Sequence, residues 1–95
     1  MPEKISIHCG ERLSIENVEQ LYSAMEGALS SDVDIELDAA DVGFCDTAGL
    51  QLLISLKREA EKTGHGVHWS AVSDNLRETS AYLGLCQSLG LNAPN

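Results

Sequence analysis

Residues 45–49, Cys45-Asp46-Thr47-Ala48-Gly49, place a thiol, a carboxylate and a hydroxyl at consecutive positions. Two chemistries follow from those groups. A thiol becomes a nucleophile where a base stands beside it, and a hydroxyl can receive a phosphoryl group from a partner enzyme. The five residues lie where an extended run, Val42-Gly43-Phe44-Cys45, meets an apolar helical run with no loop between them. If the helix starts at Asp46 or Thr47, the first-turn N–H groups of Ala48, Gly49 and Leu50 lack partners and point outward. Such amides form an anion site, and Gly49 leaves the backbone open to close approach. A phosphoryl group on Thr47 is then favoured by the amides and the helix dipole and opposed by the adjacent Asp46 carboxylate. The same spacing also suits a plain helix cap by Asp46 or Thr47. Cap and site are both open at this level.

The rest of the chain offers little catalytic machinery. His8 and His68 fall in extended runs and His65 lies between two glycines in a turn, none of them near Cys45 or Thr47 in sequence. There is no GxSxG elbow, phosphate-binding glycine loop, dinucleotide fingerprint or HExxH pair. Cys9, Cys45 and Cys86 are about forty residues apart, without the close Cys/His spacing of a zinc site, and read as reduced, buried thiols. The reading is therefore not an enzyme, with no cofactor and no metal.

The elements that must hold the junction are legible from periodicity. Lys4 to His8 alternates as a strand, closed by Gly10 and Glu11. Ser14 is placed to cap a helix, Leu13 and Val18 to staple it, and Val18, Leu21, Tyr22, Met25, Ala28 and Leu29 make an apolar stripe ended by Ser30-Ser31-Asp32. Val33 to Leu37 alternates as a second strand. Residues 47–62 form the second helix, with Lys57, Arg58 and Lys62 near its C-terminus and Gly64 as the stop. Its Leu50, Leu52, Leu53, Ile54 and Leu56 spread over more than one face, which means deep burial or contact with a partner. Gly66 to Ser70 is a further strand. A third helix runs from Ser73-Asp74 to Gly84, a short last one spans 85–91, and residues 92–95 are expected to fray. Short links in this order predict a single α/β domain over residues 1–95, a mostly parallel or mixed four-stranded sheet flanked by three to four helices.

Composition narrows the partners. A net charge of -9 argues against nucleic acid and anionic membrane and suits solubility or steering toward a basic protein. The N-terminus has no apolar signal core and no run approaches a membrane span, so the expected location is cytoplasmic.

From Val33 through the D-[ST]-x-G-L junction to Leu83-Gly84-Leu85, the chain resembles the STAS domain, the module of sulphate transporters and anti-sigma-factor antagonists. The resemblance implies a small, mostly parallel sheet with helices. It also implies a protein partner that is an anti-sigma factor or serine/threonine-type kinase, with ATP and Mg²⁺ held by that partner. Carried over, Thr47 is the phosphoacceptor, Asp46 the adjoining acidic residue, and Asp46, Thr47, Ala48, Gly49 and Leu50 the partner-binding segment. Thr stands where the best-known antagonists have Ser, and Ala48 where many have a second Ser. The D-T-A-G form is also similar to the STAS subunit of lipid-transporting ABC ATPases, where the Thr contacts the ATPase. Val67-His68-Trp69-Ser70 and the Leu83-Gly84-Leu85 ending resemble stand-alone STAS proteins of chemotaxis kinase complexes. One strand precedes the first helix here where the family often has two, and Ser14 stands near the place of a common acidic residue.

Overall fold

The computed structural model describes residues 4–91; the expected fraying of residues 92–95 lies outside them. In chain order come strand β1 (Lys4–His8), strand β2 (Arg12–Leu13), a 3₁₀ turn (Ile15–Asn17) and helix α1 (Val18–Ser30). Strand β3 (Asp34–Ala39), strand β4 (Phe44–Cys45) and helix α2 (Thr47–Lys62) follow. Strand β5 (Val67–Val72) and helices α3 (Asp74–Tyr82) and α4 (Cys86–Leu89) complete the order.

The α/β class is as expected, but the sheet is divided differently. Strands β1, β3 and β5 form a parallel three-stranded sheet with β3 in the middle, aligning Ile5 with Ile35 and Ile35 with Val67. The register shifts between Leu37 and Asp38, which lets β5 run on to Val72 instead of stopping at Ser70. Strands β2 and β4 make a separate parallel ladder, Arg12 opposite Phe44 and Leu13 opposite Cys45. The expectations of one four-stranded sheet, and of one strand before the first helix, are thus corrected. Two residues that pair with a segment about thirty positions away leave no local alternation to read.

Burial explains why the elements hold. Ile35, Leu37 and Ala39 alternate inward on β3 and pack with Leu21, Met25 and Ala28 of α1 and Leu50, Leu53, Ile54, Leu56 and Ala60 of α2. Each fully buried Leu or Ile in this set contributes about 1.5–3 kcal/mol relative to exposure. Deep burial thus accounts for most of the wide apolar spread of α2. Ser14 does not cap α1. It precedes the 3₁₀ turn, and its buried hydroxyl donates to Asn17 Oδ1 at 2.9 Å. Helix α3 starts as expected, with the Leu76 N–H donating to Ser73 Oγ at 3.1 Å. Gly64 and Gly84, at φ of +81° and +73°, take the left-handed turn just past α2 and α3. The Trp69 indole N–H donates to the Leu89 carbonyl at 2.8 Å and ties α4 to β5.

Candidate functional site at the junction of β4 and α2

Asp46 organises the junction through both its backbone and its carboxylate. Its own N–H donates to the Leu13 carbonyl at 2.9 Å, extending the β2–β4 ladder by one bond. Its extended backbone (φ -127°, ψ 175°) then turns directly into α2 as the N-cap. Oδ1 accepts the Gly49 N–H at 2.9 Å, and Oδ2 accepts the Ile15 N–H, from the 3₁₀ turn, at 3.1 Å. The Leu50 N–H closes the first helical turn on the Asp46 carbonyl at 3.1 Å. The Gly49 amide first, then those of Ile15 and Ala48 and the Arg12 guanidinium, hold the Asp46 carboxyl below its ordinary range, against some desolvation.

This geometry corrects the expectation of an open anion site. The amides that would receive an anion are already used: Gly49 by Oδ1, Leu50 by the Asp46 carbonyl, with Ala48 also turned on the carboxylate. Gly49 serves another purpose than ligand access. A Cβ built on it would lie 2.2 Å from the Leu13 carbonyl oxygen, so glycine is what allows α2 to start against the β2 backbone.

Thr47 is the first residue of α2 and is exposed; its hydroxyl has no hydrogen-bond partner among the described residues. Ala48 is half-buried, while Gly49 is buried and Leu50 is fully so. Of the expected partner-binding segment, Asp46, Thr47 and Ala48 therefore reach the surface, and Gly49 and Leu50 position them from beneath. Sequence reading missed what the fold brings to the junction. Phe44 is 44% exposed with the Arg12 guanidinium 4.5 Å from its ring centroid, and Ile15 is 64% exposed. Arg12 also approaches Glu16 at 3.5 Å. An apolar residue on each of two segments that meet only in the fold carries no sequence signal beyond its own exposure.

Cys45 is not activated. Its buried thiol lies 3.8 Å from Asn75 Oδ1, and burial pushes its pKa up, with the Asp46 charge adding to this against a Thr79 hydrogen bond. Cys9 is buried with a pKa raised to about 12, chiefly by desolvation, whereas Cys86 is half-buried rather than buried as expected. The histidines pair elsewhere with carboxylates: His8 with Asp38 at 3.3 Å, His65 with Asp32 at 2.6 Å and His68 with Asp34 at 3.9 Å. Among the described residues no group of three or more His, Cys, Asp or Glu is placed to hold a metal ion, and no helix is long and apolar enough to cross a membrane.

The family model described as "Mlab, STAS domain" matches residues 2–91. The chain belongs to the STAS domain family. No curated protein matches it. Among solved structures, the STAS fold here is similar to the anti-sigma factor antagonist SpoIIAA in its unphosphorylated form. That match has 21% identity and a TM-score of 0.73 over 100% of this chain and 83% of that one. It is also similar to a sulfate transporter family protein from Wolinella succinogenes, at 20% identity and a TM-score of 0.72 over 92% of this chain and 71% of that one. At these identities the two structures establish a shared STAS fold.

Proposed function

We propose that this STAS domain is a cytoplasmic regulatory binding module rather than an enzyme. It engages a partner kinase or anti-sigma factor through the surface around Thr47, and phosphorylation of Thr47 ends that binding. The observation that carries the reading is the exposed, unengaged Thr47 hydroxyl, fixed at the start of α2 by the Asp46 cap. Exposed Phe44 stands on β4 two residues before the Asp46 cap, and exposed Ile15 donates its N–H to the Asp46 carboxylate, so the junction carries two apolar residues suited to a protein surface. A phosphoryl group adds roughly -1.5 to -2 charge. It would meet the Asp46 carboxylate, whose neighbouring amides are already engaged, with Arg12 as the adjacent cation. Burying that charge against Phe44 and Ile15 is costly, so a partner shaped for the neutral hydroxyl dissociates. The fold likeness to an unphosphorylated anti-sigma factor antagonist supports the reading. ATP and Mg²⁺ belong to the partner.

The test is phosphate incorporation from ATP and Mg²⁺ by the kinase that co-purifies with the tagged protein, mapped by mass spectrometry. One phosphoryl group on Thr47, absent from Thr47→Ala, is expected. Incorporation into Thr47→Ala at the wild-type level would overturn the site. The Mlab description of the matching family supports a second reading, a regulatory subunit docked on a lipid-transport ABC ATPase through the same surface. Stable co-purification with an ATPase, without phosphate transfer, distinguishes it.

A further inference from the structure

One part of the α2 apolar run is not consumed by the core. Leu50, Leu53, Ile54 and Leu56 are buried, but Leu52 is only half-buried and lines a groove of about 440 Å³ between α1 and α2. Across the groove stand Leu29, which is half-buried, and Tyr22, which is 53% exposed although it belongs to the apolar stripe of α1. A shallower depression continues past Tyr22 to Val18 and Glu19. The channel therefore follows α1 from Val18 to Ser30, about 18 Å at 1.5 Å per residue, the length of roughly three helical turns.

Its walls are acidic. Glu19 and Glu26 line it from α1 and Glu59 from α2. Glu59 shares an exposed ion pair with Lys62 at 3.1 Å, and no ion pair to Glu19 or Glu26 is found among the described residues. Between Arg12 and Lys57 the sequence has neither Lys nor Arg. An apolar channel of helical length, walled by three carboxylates of which Glu59 alone has a paired cation, selects its occupant by charge. Anionic lipid is repelled. A second copy of this chain, seated face to face, brings the same carboxylates against one another.

We propose that the α1–α2 groove docks a basic amphipathic helix of a partner protein. Its apolar side chains at helical spacing lie over Leu29, Leu52 and Tyr22, and its Lys and Arg residues meet Glu19, Glu26 and Glu59. The groove is formed by α1 and α2 side chains beyond the first turn of α2, so the proposal stands independently of any phosphate on Thr47.

The test uses a helical peptide of about 18 residues with Leu on one face and Lys on the other. Its binding is measured by fluorescence anisotropy and mapped by amide chemical shifts on the full chain. Shifts centred on Tyr22, Leu29 and Leu52 are expected. The pair Glu26→Lys with Glu59→Lys should weaken binding roughly tenfold. Glu61→Lys with Glu78→Lys changes net charge equally but lies off the groove, and should weaken it less than about threefold. Equal weakening by the two pairs, shifts centred on another face, or no binding would each overturn the proposal.

Discussion

At the scale of single residues, the two glycines that lie within helices have opposite roles. Gly49 has no room for a side chain, since an added Cβ meets the Leu13 carbonyl oxygen at 2.2 Å, while Gly27 on the exposed side of α1 meets nothing within 4 Å. Gly49→Ala is therefore expected to destabilise the domain by about 2–3 kcal/mol, because rigid backbone must move. Gly27→Ala should stabilise it by about 0.5–1 kcal/mol through helix propensity. Urea unfolding of both variants checks the difference in sign. Asp46 makes a second prediction. Asp46→Ala removes the cap and the Ile15 anchor and should cost about 1–2 kcal/mol, with Asp46→Asn costing less. The folded carboxyl titrates below its ordinary value. Its contribution is therefore present above the unfolded value of about 3.9 and is lost as pH falls through the lower folded one. Unfolding midpoints between about pH 6 and pH 2.5 should fall more steeply for wild type than for Asp46→Asn.

At the scale of elements, helix α2 was read with its observed ends because its signals are local. Asp46 sits at the cap position, the apolar period is unbroken, and Gly64 stops it. Strand β2 was not legible, since its two residues become a strand only by pairing with β4. The same distance hid the second bond of the Asp46 carboxylate, to Ile15, whereas the closure of the first-turn amides by Asp46 is local and was one of the two readings left open. Gly49 does permit a close approach, but by the Leu13 backbone and not by an anion. The turn between α1 and β3 is fastened in another way. Asp32, at a left-handed φ of 57°, accepts a hydrogen bond from His65 at 2.6 Å, and Asp34 lies 3.5 Å from the other ring nitrogen and 3.9 Å from His68. The Asp32 hydrogen bond, then its charge and that of Asp34, raise the His65 pKa against partial desolvation. A raised value stabilises the fold fully below the ordinary pKa of about 6.5 and ceases to do so as pH rises through the folded one. Stability of the wild type should thus decline above about pH 6.5 in a step that His65→Gln lacks, as read from urea midpoints at closely spaced pH.

At the scale of the whole molecule, the charge of -9 is unevenly distributed: the long segment between Arg12 and Lys57 has no basic residue, and it contains Thr47 and every lining residue of the α1–α2 groove except Glu59. A phosphoryl group on Thr47 adds to a surface that is already negative, so its effect should be read in partner binding and not in folding. The fold supports this division. The Asp46 cap, the Gly49 contact and buried Leu50 hold the junction from beneath, while Thr47 is left exposed. The most direct measurement is calorimetric binding of the partner kinase to the unmodified chain and to the chain phosphorylated on Thr47. Both forms are first checked for matching unfolding midpoints. At least about a tenfold loss of affinity on phosphorylation is expected, with unfolding unchanged. Equal affinity of the two forms would contradict a phosphate switch at Thr47.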